Sequence, residues 1–149
     1  MIPLFGMVVS FGQMDRERIE IDVLGYERAP VGEFYDDNWL TVTVKVSAGG
    51  FRGNIGAAIL TSELKKFSDE LHPLFQKLNG AAEFVTLEEQ LRLKLEGDGK
   101  GHIRLEGDVH DRAGIGNRLS FSLQFDQTSL GASIRELEAV LTKFPVRST

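Results

Sequence analysis

The side chains capable of chemistry are few. Cysteine is absent and only three histidines occur, His72, His102 and His110. Without cysteine there are no disulfides, no thiol nucleophile and no thiolate metal site. A zinc centre needs three or four convergent ligands, and neither HExxH nor a His-x-His pair is present. His102 and His110 fall on one alternating run, which would separate them by roughly 26 Å at about 3.3 Å per residue. His72 precedes Pro73 on a helical pattern, as a partly exposed helix residue. Gly97-Asp-Gly-Lys-Gly-His102 resembles a phosphate loop only superficially, because a strand pattern follows it where a Walker loop needs a helix. No GxSxG elbow occurs. Glu88 and Glu89 sit between two strand patterns, and a carboxylate pair could serve as acid and base. Surface carboxylates are common in any acidic domain, which favours a solvated face. The densest chemical segment is Glu33, Phe34, Tyr35, Asp36, Asp37 and Trp39, where carboxylates and aromatic rings alternate within one connection. Aromatics with charged surroundings suit a protein-binding surface, and a solvated loop is the plainer reading.

The elements that position these residues are mostly strands. Apolar and polar residues alternate over Ile19–Val23, Leu40–Val46, Leu91–Leu95, Ile103–Val109 and Leu119–Phe125. Period-two alternation gives one buried and one wet face and favours antiparallel pairing. Phe51–Leu60 is a further strand, whose glycines and alanines suggest a close neighbour. Residues 82–86 form a short edge strand, and Met7–Phe11 pairs with Ile19–Val23 around 13–17. Two segments switch to the helical period. Over 62–78, Leu64, Phe67, Leu71 and Leu74 share a face, with Thr61 as N-cap, Asn79-Gly80 as the stop and a kink or a break expected near 69–72 from Pro73. Over 129–144, Ile134, Leu137, Leu141 and Phe144 turn inward, capped by Asp126 or Thr128 and followed by Pro145. Phe67, Leu71, Leu137 and Leu141 are expected in a shared core. The Gly-rich stretch at 96–101 joins two strands as a hairpin, while 26–38 is a long connection.

The expected fold is a single α+β domain over 1–149. It is a two-layer sandwich, with a mainly antiparallel sheet of about six or seven strands and two helices on one face. Strand 40–46, strand 51–60 and the first helix resemble strand 103–109, strand 119–125 and the second helix. This weak repeat fits either duplication or the generic look of a ββα unit.

Composition narrows function further. Lys+Arg is 17 against Asp+Glu 22, a formal charge of −5, so the broad basic field of a nucleic-acid binder is missing. The apolar start, Met1–Ser10, has no basic flank and no cleavage motif, and is well short of the roughly 20 residues of a membrane span. Residues 1–14 therefore read as a first strand or a ragged extension, with Met7 and Met14 as alternative starts. The absence of cysteine fits a reducing compartment.

Several of these segments together resemble a known family. Ile19-Glu-Ile-Asp-Val-Leu-Gly-Tyr-Glu27, Glu96-Gly-Asp-Gly-Lys-Gly-His-Ile103, Gly116-Asn-Arg-Leu-Ser-Phe121 and Phe125-Asp-Gln-Thr-Ser-Leu130 look like the WapI family of bacterial immunity proteins. The resemblance covers roughly 19–144. Ser129 departs from it, standing where the family usually has Tyr. The resemblance implies a non-enzymatic, cytoplasmic antidote without a cofactor, whose partner is the cognate domain of a cell-wall-associated polymorphic toxin resembling tRNA nucleases. No contact residues carry over from it. The competing readings are a small-molecule-binding domain or small enzyme, and an oligomeric structural subunit.

Overall fold

A computed structural model describes residues 7–13 and 16–147. Met1 and Met14, two of the three candidate starts, lie outside the described residues, as does part of the 13–17 turn. The chain runs β1 (Met7–Gly12), β2 (Arg18–Tyr26), α1 (Phe34–Asn38), β3 (Trp39–Ala48), β4 (Phe51–Leu60), α2 (Thr61–Lys77), β5 (Asn79–Val85), β6 (Leu91–Asp98), β7 (His102–Arg112), β8 (Ile115–Asp126) and α3 (Gln127–Lys143). The α+β class and the antiparallel pairing are as the alternation requires. Among the described residues the strands number eight, and they divide into two four-stranded sheets ordered β1-β2-β3-β4 and β5-β6-β7-β8. Alternation marks which side chains are buried but not which strands bond. The helix α2 intervenes between β4 and β5, and these two strands do not pair.

The inner faces of both sheets share one core. Val42, Val44 and Val46 of β3 and Leu93 and Leu95 of β6 are almost fully buried, together with Leu105 of β7 and Leu123 of β8. Phe11, Phe67, Phe84 and Phe125 connect the layers, with Phe11 and Phe125 ring centres 6.3 Å apart and Phe67 and Phe84 5.2 Å apart. The alternate residues, such as Lys45, Arg92, Ser122 and Gln124, face outward as expected.

The two helices pack against each other and reciprocally across the molecule: α2 lies along β5 and α3 along β1, each the first strand of the other sheet's half. Leu64, Leu71 and Leu74 of α2 are matched by Leu130, Leu137 and Val140 at the same positions of α3, all buried. Glu70 and Glu136 are also at matching positions, and each seals a strand edge. Glu70 Oε1 accepts the Glu83 amide of β5 at 3.0 Å, and Glu136 Oε1 accepts the Ser10 amide of β1 at 2.9 Å. An edge amide without a partner invites foreign strands. The repeat is thus a four-strand meander followed by a helix, longer than the ββα unit visible in the sequence.

Local details differ from expectation in four places. Pro73 does not break α2, which is continuous over Thr61–Lys77. Leu60, not Thr61, occupies its N-cap, and Glu63 Oε1 accepts the Leu60 amide at 2.7 Å. Leu141 is only partly buried, at the rim of the core, whereas Phe67, Leu71 and Leu137 are at its centre. The close backbone approach expected in β4 occurs at Gly107 instead, where a Cβ would stand 2.4 Å from the Phe121 ring. At the start of α3, Asp126 is the cap: its side chain accepts the Ser129 amide at 2.9 Å.

Candidate functional site

The segment Glu27–Asn38 is where the first half of the molecule exceeds the second, because the equivalent β6–β7 link is only Gly99–Gly101. It is a pinned insertion rather than a loose loop. Asp37, expected as an exposed loop carboxylate, is 2% exposed. Its Oδ1 accepts the Val31 amide at 2.7 Å and its Oδ2 the Gly32 amide at 3.0 Å. A buried carboxylate must be satisfied in this way or lose its charge. Burial here follows from the chain folding back on itself.

Asn38 is the hub behind it. Its Nδ2 donates to the Phe34 carbonyl at 2.7 Å and to the Arg147 carbonyl at 3.0 Å. Its Oδ1 accepts the Arg147 amide at 2.8 Å and the Thr61 hydroxyl at 2.5 Å. A wholly buried amide making four hydrogen bonds uses its full capacity. The Arg147 guanidinium lies 3.4 Å from the Tyr26 ring centre and donates to the Arg28 carbonyl at 3.1 Å and the Asp37 carbonyl at 3.3 Å. The Tyr26 hydroxyl donates to the Pro145 carbonyl. Burial raises the Tyr26 hydroxyl above its ordinary value, and Arg147 opposes the rise. The segment after α3 therefore straps the insertion to β2. Sequence reasoning missed Tyr26, Asn38, Thr61 and Arg147, because their partners are distant in the chain.

What this frame presents outward is apolar and acidic. Tyr35 is 62% exposed and Phe34 39%, with their rings edge to face at 5.5 Å. Val31 and Glu33 are exposed as well. Asp36 is half-buried, its nearest cation Arg28 at 3.9 Å. Trp39 is half-buried at the first position of β3, and its carbonyl accepts the Glu27 amide at 3.0 Å. The structure thus gathers the predicted residues into one small element, with Asp37 inside it as a pin. Glu88 and Glu89 lie in the β5–β6 turn. Beside that turn Glu63 Oε2 accepts the Leu87 amide at 2.5 Å; burial pushes the Glu63 carboxyl up, its two amide partners oppose this, and Glu88 adds to it.

The remaining candidates do not converge. His102 bonds Asp98 at 2.7 Å near one end of β7, while His110 meets the Glu89 carbonyl at 3.0 Å near the other. Among the described residues no group of three or more His, Asp or Glu could hold a metal ion. The stretch from Gly97 to His102 is the β6–β7 hairpin. The concave surface over β6, β7 and β8 is an open sheet face lined by paired charges, such as Arg118 and Asp108 at 2.9 Å. Among the described residues no helix is long and apolar enough to cross a membrane.

A family model described as the immunity protein WapI-like family matches residues 10–145. The chain belongs to that family, one of immunity proteins. No curated protein matched the chain.

Proposed function

We propose that this member of the family is a non-enzymatic protein that acts in the cytoplasm by binding and neutralising the C-terminal domain of a cognate WapI-type toxin. Its contact surface is the insertion, through Glu33, Phe34, Tyr35, Asp36 and Trp39, with Asp37 holding that surface in shape. The observation that carries the reading is that exposed aromatic and acidic side chains stand on a segment fixed by Asp37, Asn38 and Arg147. An exposed ring on a fixed backbone loses little entropy on binding and suits an anchor. A nuclease toxin that acts on tRNA must present cations to phosphates, and a partner of formal charge −5 complements it.

The test is co-purification with the C-terminal domain of a WapI-type toxin, followed by association rates across ionic strength. Exposed charges are screened beyond about 8–10 Å at 0.1–0.15 M salt, so rim charges act mainly on association. Asp36→Lys should slow association at low salt, and Tyr35→Ala should speed dissociation, both with an unchanged fold. If neither variant alters binding at any ionic strength, the insertion is not the contact surface.

A further inference from the structure

We propose that the first half of β4 is a docking edge for an extended, acid-rich segment of a protein partner, separate from the insertion. The strand β4 bonds to β3 on one side only. The β3–β4 register is unbroken from Ala48↔Phe51 to Trp39↔Leu60. In an antiparallel strand the amide and carbonyl of one residue point to the same side, and successive residues alternate. The Gly56 carbonyl accepts from Gln90 Nε2 at 3.1 Å, which places the Gly56 groups on the side away from β3. Asn54 and Arg52 share that parity, so they aim their amides and carbonyls off the free edge. Both residues are exposed, and among the described residues no hydrogen bond from outside the sheet reaches their backbone. At the edges of β1 and β5, by contrast, Glu136 takes the Ser10 amide and Glu70 the Glu83 amide.

The side chains beside this edge choose the occupant. On the outer face of the first sheet, Arg16, Arg18, Lys45 and Arg52 line one groove whose only carboxylate among the described residues is Glu20, itself 2.9 Å from Arg18. The equivalent face of the second sheet neutralises itself, as with Lys94–Glu96 at 3.2 Å, Arg104–Glu106 at 2.9 Å and Arg118–Asp108 at 2.9 Å. An unbalanced cationic groove stands out in a chain of formal charge −5. A strand added to β4 would take its hydrogen bonds from Arg52 and Asn54 and set every second side chain beside Arg52 and Asn54, with Lys45 one strand farther in. Asp or Glu fits beside Arg52. Two copies of this chain pairing through β4 would crowd their Arg52 cations together, which disfavours self-association. Single-stranded nucleic acid lacks the peptide groups to match the edge, and among the described residues the groove lining holds no aromatic ring for base stacking.

The experiment uses the full chain and a short blocked peptide alternating Glu and Val, followed by amide NMR shifts. The expected result is saturable binding centred on Arg52–Asn54, weakened about tenfold or more by Arg52→Glu and by N-methylation of alternate peptide bonds in the probe. Asn54→Pro, which removes an edge-facing amide without breaking a hydrogen bond to β3, should act like the N-methylated probe. Equal affinity for the N-methylated and plain peptides would reduce the groove to charge attraction and overturn strand addition. So would tighter binding of oligothymidylate than of the peptide, a β4-mediated dimer, or no binding at all. The N-methylation arm decides the matter if Asn54→Pro does not fold.

Discussion

The link between the second and third strands differs sharply in the two halves. In the second half it is the tight β6–β7 hairpin, where Asp98 Oδ1 accepts the Lys100 amide at 2.7 Å and the His102 amide at 3.2 Å. In the first half it is Glu27–Asn38, where Asp37 accepts two amides in the same way. One device, a carboxylate gathering backbone amides, organises both. The Asp98 turn ends there, whereas the Asp37 turn carries a five-residue helix with exposed rings and a strap from the chain beyond α3. The shared scaffold supplies stability, and the place where the halves diverge supplies a candidate for recognition.

If the halves are equivalent scaffolds, their matched core residues should matter alike. Leu71 and Leu137 are both wholly buried at the same helix position. Each change to Ala should cost about 2–5 kcal/mol in urea unfolding. A near-zero value for one alone would show that the two helices are not equivalent. The sealed edges come next. Glu70→Ala and Glu136→Ala each strand an amide, at about 1–3 kcal/mol. The larger loss should be at Glu136, which also accepts the Ser10 hydroxyl at 2.9 Å.

The insertion should separate from the scaffold. Arg147→Ala removes the stack on Tyr26 and the bonds to the Arg28 and Asp37 carbonyls. Hydrogen exchange should then quicken at Val31, Gly32 and Asp37 while the second sheet keeps its protection. Uniformly faster exchange would mean that the strap supports the whole fold.

The smallest effect concerns the short hairpin. The His102 side chain, then the Lys100 amide, hold the Asp98 carboxyl down at about 2. A carboxyl depressed in the folded state stabilises above its unfolded value near 3.8 and loses that contribution as pH falls through about 2. Wild type should therefore exceed Asp98→Asn slightly at neutral pH, and the gap should close between about pH 4 and pH 2. A gap independent of pH would assign the effect to hydrogen-bond geometry alone.

Strand parity, helix faces, the Asp126 cap and the hairpin at Gly99–Gly101 were legible because each depends on residues close in the chain. The alternation of Leu40 to Val46 or Leu119 to Phe125 follows from the pleat, and the spacing of Leu64, Phe67 and Leu71 follows from the helical turn. The aromatic and acidic residues of 33–39 were legible as composition, though not as structure. Only the tertiary fold decided that the strands split into two sheets, since parity is silent about which strands bond. It also decided the reciprocal packing of α2 on β5 and α3 on β1, which makes Glu70 and Glu136 seals rather than surface charges. Asp37 and Asp36 are the same residue type side by side, yet one is a buried pin and the other is only half-buried. What separates them is where the Val31 and Gly32 amides arrive, and that depends on Asn38, Thr61 and Arg147 meeting across the length of the chain.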